Sequence, residues 1–165
     1  MKKCVYAGTF DPLTSGHKSV IEKCLKIFDK VVVAVMVNPQ KEPFLTVDER
    51  VELLKKLFSD NENVRICAFE GAAVDLLERE NTPFYVRGVR DGMDLDYENR
   101  DRYANEKLKS DLITVYIPAE KSELHVSSSL VKNSVKFKKD FTEYIPVEIL
   151  ADFEEMLRKK GFNYV

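Results

Sequence analysis

Two rhythms of apolar residues alternate along this chain. Short runs rich in β-branched residues predict strands at 4–7, 31–37, 64–69, 84–86 and 112–117. The run VVVAVMV at 31–37 is apolar without a break, as a strand buried on both faces of a parallel sheet requires. Helical stretches lie between these runs. Ile21, Cys24, Leu25 and Phe28 recur at i, i+3, i+4 and i+7, which is one buried face of a helix starting near Gly16 or His17. Thr46 and Glu49 have the spacing of a capping box, so a second helix opens there with Val51, Leu54 and Phe58 turned inward. Further helices are predicted over 72–80 and 95–108, after the serines at 127–129, and from Pro146, where Ile149, Leu150, Phe153, Met156 and Leu157 share a face. Strand and helix thus alternate about five times. The pattern predicts an α/β fold: one Rossmann-like domain over 1–165, a five-stranded parallel sheet with helices on both faces, and a helical C-terminus. Such sheets bind ligands beyond the carboxyl ends of strands, where the strand order reverses.

Composition narrows the class. A chain of 165 residues, 44% apolar and 33% charged, has the make-up of one soluble globular domain. A net charge of −2 argues against a general nucleic-acid binder. Cys4, Cys24 and Cys67 form no C-x-x-C pair and sit in apolar runs, so buried reduced thiols are expected. His17 and His125 are the only histidines, too few with these cysteines for a zinc site. The first apolar stretch is broken by Gly8 and Asp11, too early for a signal-peptide core. No run of about 20 apolar residues occurs, so no membrane span is predicted and a cytoplasmic location is expected.

Chemistry-bearing residues gather at predicted strand ends. After the first strand stands GTFDPLTSGH, whose glycines allow close approach of a ligand and whose His17 falls at a helix start that attracts phosphate. A cap or a solvated residue is the alternative for His17. After the fourth strand come Arg87 and Arg90, suited to forked recognition of phosphate. Their alternative is pairing with Asp91, Asp94 or Asp96, which fits Arg90 better than Arg87. Lys41 follows the second strand, as a phosphate ligand or a solvated lysine. Ser127, Ser128 and Ser129 combine an N-cap with an amide-rich helix start, again fit for phosphate or for capping alone. The fold brings these ends to one sheet edge.

The stretch YAGTFDPLTSGH resembles the opening of nucleotidylyltransferases with an H-x-G-H or T-x-G-H motif, here Thr14-Ser15-Gly16-His17. With NPQKEPF, VRGVRDGMDLDYE, Asn105 and VSSSLVK, the chain is similar to the bacterial phosphopantetheine adenylyltransferase family, from the first strand to about residue 135. The resemblance implies transfer of the adenylyl group of ATP to 4′-phosphopantetheine, giving 3′-dephospho-coenzyme A and pyrophosphate, with magnesium and a homo-hexamer. It implies that Thr9 orients the acceptor phosphate, that Lys41 and Arg87 hold the acceptor, and that Ala73 lies near its arm. It implies an ATP site of Thr9, Phe10, His17, Gly88, Val89, Arg90 and Glu98, with the stretch Glu123, Leu124, His125, Val126, Ser127, Ser128 and Ser129, and His17 as transition-state stabiliser. Glu123 and His125 stand where the family often has aromatics, and Ala7 and Ser15 where it often has proline and asparagine. An acceptor that is already anionic needs no general base, so in-line attack on the α-phosphorus is expected, answered by fixed donors and cations. Three other readings compete: a related adenylyl- or cytidylyltransferase with another acceptor, a nucleotide-binding regulatory module without turnover, and an RNA-binding domain, which the charge disfavours.

Overall fold

The computed structural model describes residues 1–38 and 42–162. The five strands are β1 (Lys3–Gly8), β2 (Lys30–Met36), β3 (Val64–Phe69), β4 (Phe84–Val89) and β5 (Ile113–Pro118). They form a parallel sheet in the order β3-β2-β1-β4-β5. The α/β fold expected from the alternation is the fold observed.

The helices are α1 (Ser15–Leu25), α2 (Val47–Leu57), α3 (Ala73–Arg79), α4 (Gly92–Leu108), α5 (Ser128–Lys136) and α6 (Val147–Lys159). Their starts are written in side-chain oxygens. Thr14 caps α1 and Thr46 caps α2, each in a capping box. Asp91 caps α4 through the amide of Asp94, and Ser127 caps α5 through that of Leu130.

Alternation along the strands divides the core. Cys4, Tyr6, Val31, Val33, Val35 and Val86 face one layer, where Ile21, Leu53, Val131 and Phe153 arrive from α1, α2, α5 and α6. Val5, Ala7, Val32, Ala34 and Tyr85 face the other, against Leu76 and Leu77 of α3. Cys4 and Cys24 are buried free thiols, as expected, whereas Cys67 is only half-buried.

Two boundaries differ from the sequence reading in ways that matter for the site. The fourth strand runs on through Arg87 and Gly88 to Val89, because the Arg87 guanidinium finds partners that let a charged residue stay in the sheet. Helix α4 starts at Gly92 rather than at 95, because Asp91 caps it.

The sheet opens where the order reverses. Strand β1 pairs with β2 along six residues but with β4 only at Val5↔Tyr85 and Tyr6↔Val86. Beyond that point β1 and β4 part, and a crevice forms at their carboxyl ends.

Candidate active site

A cavity of about 310 Å³ fills that crevice. Its floor is Tyr6, Ala7, Gly8, Gly88 and Val89, from the ends of β1 and β4. One wall is Gly16 and His17 of α1, and another is Val126, Ser127 and Ser128 at the start of α5. Thr9, Arg87, Arg90, Glu98 and Glu123 also line it. Residues far apart in sequence thus meet in one place. A larger hollow of about 690 Å³ lies at the opposite, amino ends of the strands, among Lys2, Lys30 and Arg65, and holds none of the candidate groups.

His17 is held in one orientation. The backbone N–H of Thr14 donates to Nδ1 at 3.0 Å, and Thr14 Oγ1 lies 3.0 Å from the same nitrogen. A backbone amide can only donate, so Nδ1 is the acceptor and the hydrogen of the neutral ring sits on Nε2. Burial, and next the nearby charge of Arg90, push the His17 pKa down to about 4. The ring is therefore a neutral donor at physiological pH. The Phe10 ring supports it edge-on at 5.0 Å, with Tyr6 edge-on to Phe10 at 5.4 Å. Phe10 itself is buried at φ +48° and does not line the cavity. Gly8 makes room for that ring, since a Cβ there would stand 3.3 Å from Phe10 Cζ.

The two arginines differ. Arg87 meets Glu98 through a fork, Nε to Oε2 at 2.6 Å and Nη2 to Oε1 at 2.7 Å. Its Nη1 donates to the carbonyl of Ala7 at 2.9 Å and to Tyr85 Oη at 3.1 Å, bridging the gap between β1 and β4. Burial works against the Arg87 charge, but Glu98 and the flanking Tyr85 outweigh it and hold the guanidinium above its ordinary value. Arg90 is exposed and forks onto Asp94 at 2.8 and 3.2 Å, the pairing that the sequence left open. Such an exposed pair is weak, so an arriving phosphate can take the guanidinium over.

Helix starts add donors. The first-turn amides of α1 and α5 have no acceptor within their helices, apart from those that Thr14 and Ser127 cap. Ser128 Oγ donates to the carbonyl of Pro12 at 2.8 Å, which ties α5 to the loop after β1. Leu124, His125 and Ser129 are exposed and off the cavity wall, with the His125 ring 5.7 Å from that of Tyr144. Ala73 opens α3 and packs on the second core layer, away from the cavity. Lys41 lies outside the described residues. Among the described residues, no three His, Cys, Asp or Glu side chains gather as a metal site.

A family model described as cytidylyltransferase-like matches residues 5–134, a span containing every wall of this cavity. The chain belongs to the cytidylyltransferase-like family. A phosphopantetheine adenylyltransferase of Clostridium beijerinckii is 40% identical over 152 residues, covering 92% of this chain and 96% of its own length. One from Campylobacter hominis is 39% identical over the same shares of both chains. The nicotinic acid mononucleotide adenylyltransferase of Plasmodium falciparum, solved with NaAD, shares the fold at a TM-score of 0.70 and 18% identity, each chain covered to 99%.

In this cytidylyltransferase-like chain, some functional neighbours escape a reading of motifs alone. Thr14 stood in the motif only as a spacing residue, and its grip on His17 needs the helix start to be seen. Asp94 was one of three possible partners for Arg90. Asp11 stands inside the quoted motif without a role of its own there, and Arg50 lies outside every motif.

Proposed function

We propose that this chain, acting as one domain over 1–165, transfers the adenylyl group of ATP to 4′-phosphopantetheine, producing 3′-dephospho-coenzyme A and pyrophosphate. The observation that carries this reading is the convergence of a neutral His17, Arg90 and two helix starts on the switch-point crevice. Near-full-length likeness to phosphopantetheine adenylyltransferases selects the acceptor.

An oxygen of the acceptor phosphate attacks the α-phosphorus in line, and the bond from that phosphorus to the bridging oxygen of pyrophosphate breaks. No proton has to be removed from the nucleophile, so the site needs no general base. Negative charge grows on the α-phosphate and the leaving oxygens. His17 Nε2–H, Arg90 and the open amides of α1 and α5 are fixed donors for it. Thr9 and Arg87 lie on the acceptor side, where Arg87 has one Nη2 hydrogen left beyond its bonds to Glu98, Ala7 and Tyr85. Lys41 is assigned to the same acceptor by family likeness. Gly88 and Val89, with Glu123, Val126, Ser127 and Ser128 from the segment before and into α5, take the nucleotide. Magnesium enters with ATP as part of the substrate, held chiefly by phosphates and water.

The same reading gives a cytoplasmic homo-hexamer. Among the described residues no helix is long and apolar enough to cross a membrane. Exposed Met93, Tyr97 and Tyr103 on α4 supply apolar surface for assembly.

The test is direct. The purified protein is mixed with magnesium, ATP and 4′-phosphopantetheine, and dephospho-coenzyme A is sought by mass. A panel of other phosphate acceptors is run alongside, scored by pyrophosphate release. Product with 4′-phosphopantetheine alone is expected. Release with another acceptor and none with this one overturns the acceptor assignment; ATP binding without turnover overturns catalysis.

A further inference from the structure

Two buried charges sit near the cavity without lining it. Asp11, in the loop after β1, is 8% exposed, and Arg50, on the first turns of α2, is 4% exposed. Each bonds to backbone belonging to the other's segment. The Asp11 carboxylate accepts the N–H of Phe44 on Oδ2 and that of Leu45 on Oδ1, both at 2.8 Å. Arg50 Nη1 donates to the carbonyl of Thr9 at 2.8 Å, and its Nε to that of Thr46 at 3.2 Å. The β1–α1 loop and the chain entering α2 are thus locked from both sides.

Burying a charge is expensive, and a well-packed apolar pair would often stabilise the fold as well or better. What these two charges add is direction. The carbonyl that Arg50 grips belongs to Thr9, on the cavity wall. The next residue, Phe10, is held at φ +48°, a left-handed conformation that a bulky side chain rarely adopts. Its ring in turn is the edge-on support of His17. Without the lock, the backbone at Phe10 is free to relax toward negative φ. That turns the Thr9 carbonyl and withdraws the ring from beneath His17.

We infer that Asp11 and Arg50 are positioning residues of the transfer reaction, setting Thr9 and, through Phe10, His17 at the distance the in-line geometry needs. The inference rests on the adenylyl-transfer reading. Neither residue lines the cavity.

The experiment compares Asp11→Asn, Arg50→Lys and Arg50→Met with the unmodified protein, at a temperature where circular dichroism shows each variant folded. Asparagine puts an NH2 group, a donor, where one of the two amides needs an acceptor oxygen. Lysine keeps the charge but reaches one carbonyl only. Misplacement of about 1 Å costs about a hundredfold in rate, so turnover by Asp11→Asn and Arg50→Met is expected to fall by about that factor. The acceptor KM should rise, while ATP affinity, titrated without acceptor, stays within about threefold. Arg50→Lys should recover part of the loss. If Asp11→Asn does not fold, the two Arg50 variants decide. Folded variants with unchanged turnover, or with turnover and ATP affinity falling together, overturn the inference. If the unmodified protein gives no product, the reading of function falls instead.

Discussion

Arg87 and Glu98, eleven positions apart in sequence, face each other as a forked ion pair spanning the last residues of β4 and the middle of α4. The pair does two things. It allows a charged side chain to remain inside a parallel strand, and it aims the guanidinium across the gap to the Ala7 carbonyl.

Removing Glu98 should therefore be costly. Arg87 keeps 24% side-chain exposure against 11% for Glu98, so the loss for Glu98→Ala is set at about 2–3 kcal/mol, below the range for a fully buried pair. Asp94→Ala breaks the other fork, whose partners are 39% and 29% exposed, and should cost less than about 1 kcal/mol. Urea unfolding of the two variants gives the comparison. Equal losses would mean that Arg87 is satisfied without its carboxylate.

These same residues show what could be read in advance. The all-apolar run at 31–37 and the segment at 64–69 announced β2 and β3, because burial on both sheet faces or alternation across them leaves a local signature. By local pattern alone β4 ends at Val86, where Arg87 breaks the apolar run, and the carboxylate that keeps Arg87 in the sheet comes from a helix that begins earlier than its apolar pattern indicates. Local pattern finds elements, whereas long-range pairing decides how far they extend. Of the residues at predicted strand ends, His17, Arg87, Arg90, Ser127 and Ser128 line one cavity, Ser129 does not, and Lys41 lies outside the described residues. The strand-end logic had no access to Asp11 or Arg50, whose bonds across to the other segment reach backbone atoms more than thirty residues away.

The imidazole of His17 makes stability depend on pH. An unfolded chain takes up this proton near the ordinary value of 6.5, whereas the folded chain resists it until about 4. Between the two the unfolded state binds more protons, so this contribution is full above about 6.5 and is lost as pH falls to about 4. His17→Gln should flatten that part of the stability curve. NMR titration of the ligand-free protein, with His125→Gln to assign the signals, should place the His17 midpoint near 4. A midpoint near the ordinary value would remove the neutral-donor role.

Thr14 serves both the helix and the ring. Thr14→Ala removes the cap from His17 N and the hydroxyl beside Nδ1, while the backbone donor remains. The lost cap costs about 1 kcal/mol, and a ring freed to turn costs about tenfold or more in turnover. Thr14→Ser keeps the oxygen and should restore both. Denaturant melts and steady-state rates on the two variants separate the effects. Normal turnover in Thr14→Ala would show that the backbone bond alone aims His17.

Gly88 tests the cavity floor. Its φ is not in the left-handed region, so alanine meets no backbone penalty there. The added Cβ would instead stand 3.1 Å from Val20 Cγ2 and 3.6 Å from Tyr6 Oη. Val20 is buried in α1, so room for the Cβ has to come from a few tenths of an ångström of give in Val20 or in the helix that carries His17. Overpacking of this kind costs about 1–3 kcal/mol. Gly88→Ala should lose stability within that range, raise the KM for ATP and lower turnover. Gly92→Ala is the matched control: a Cβ there meets nothing within 4 Å, and alanine favours the first turn of α4. If both variants keep wild-type ATP kinetics, Gly88 is not part of the nucleotide floor.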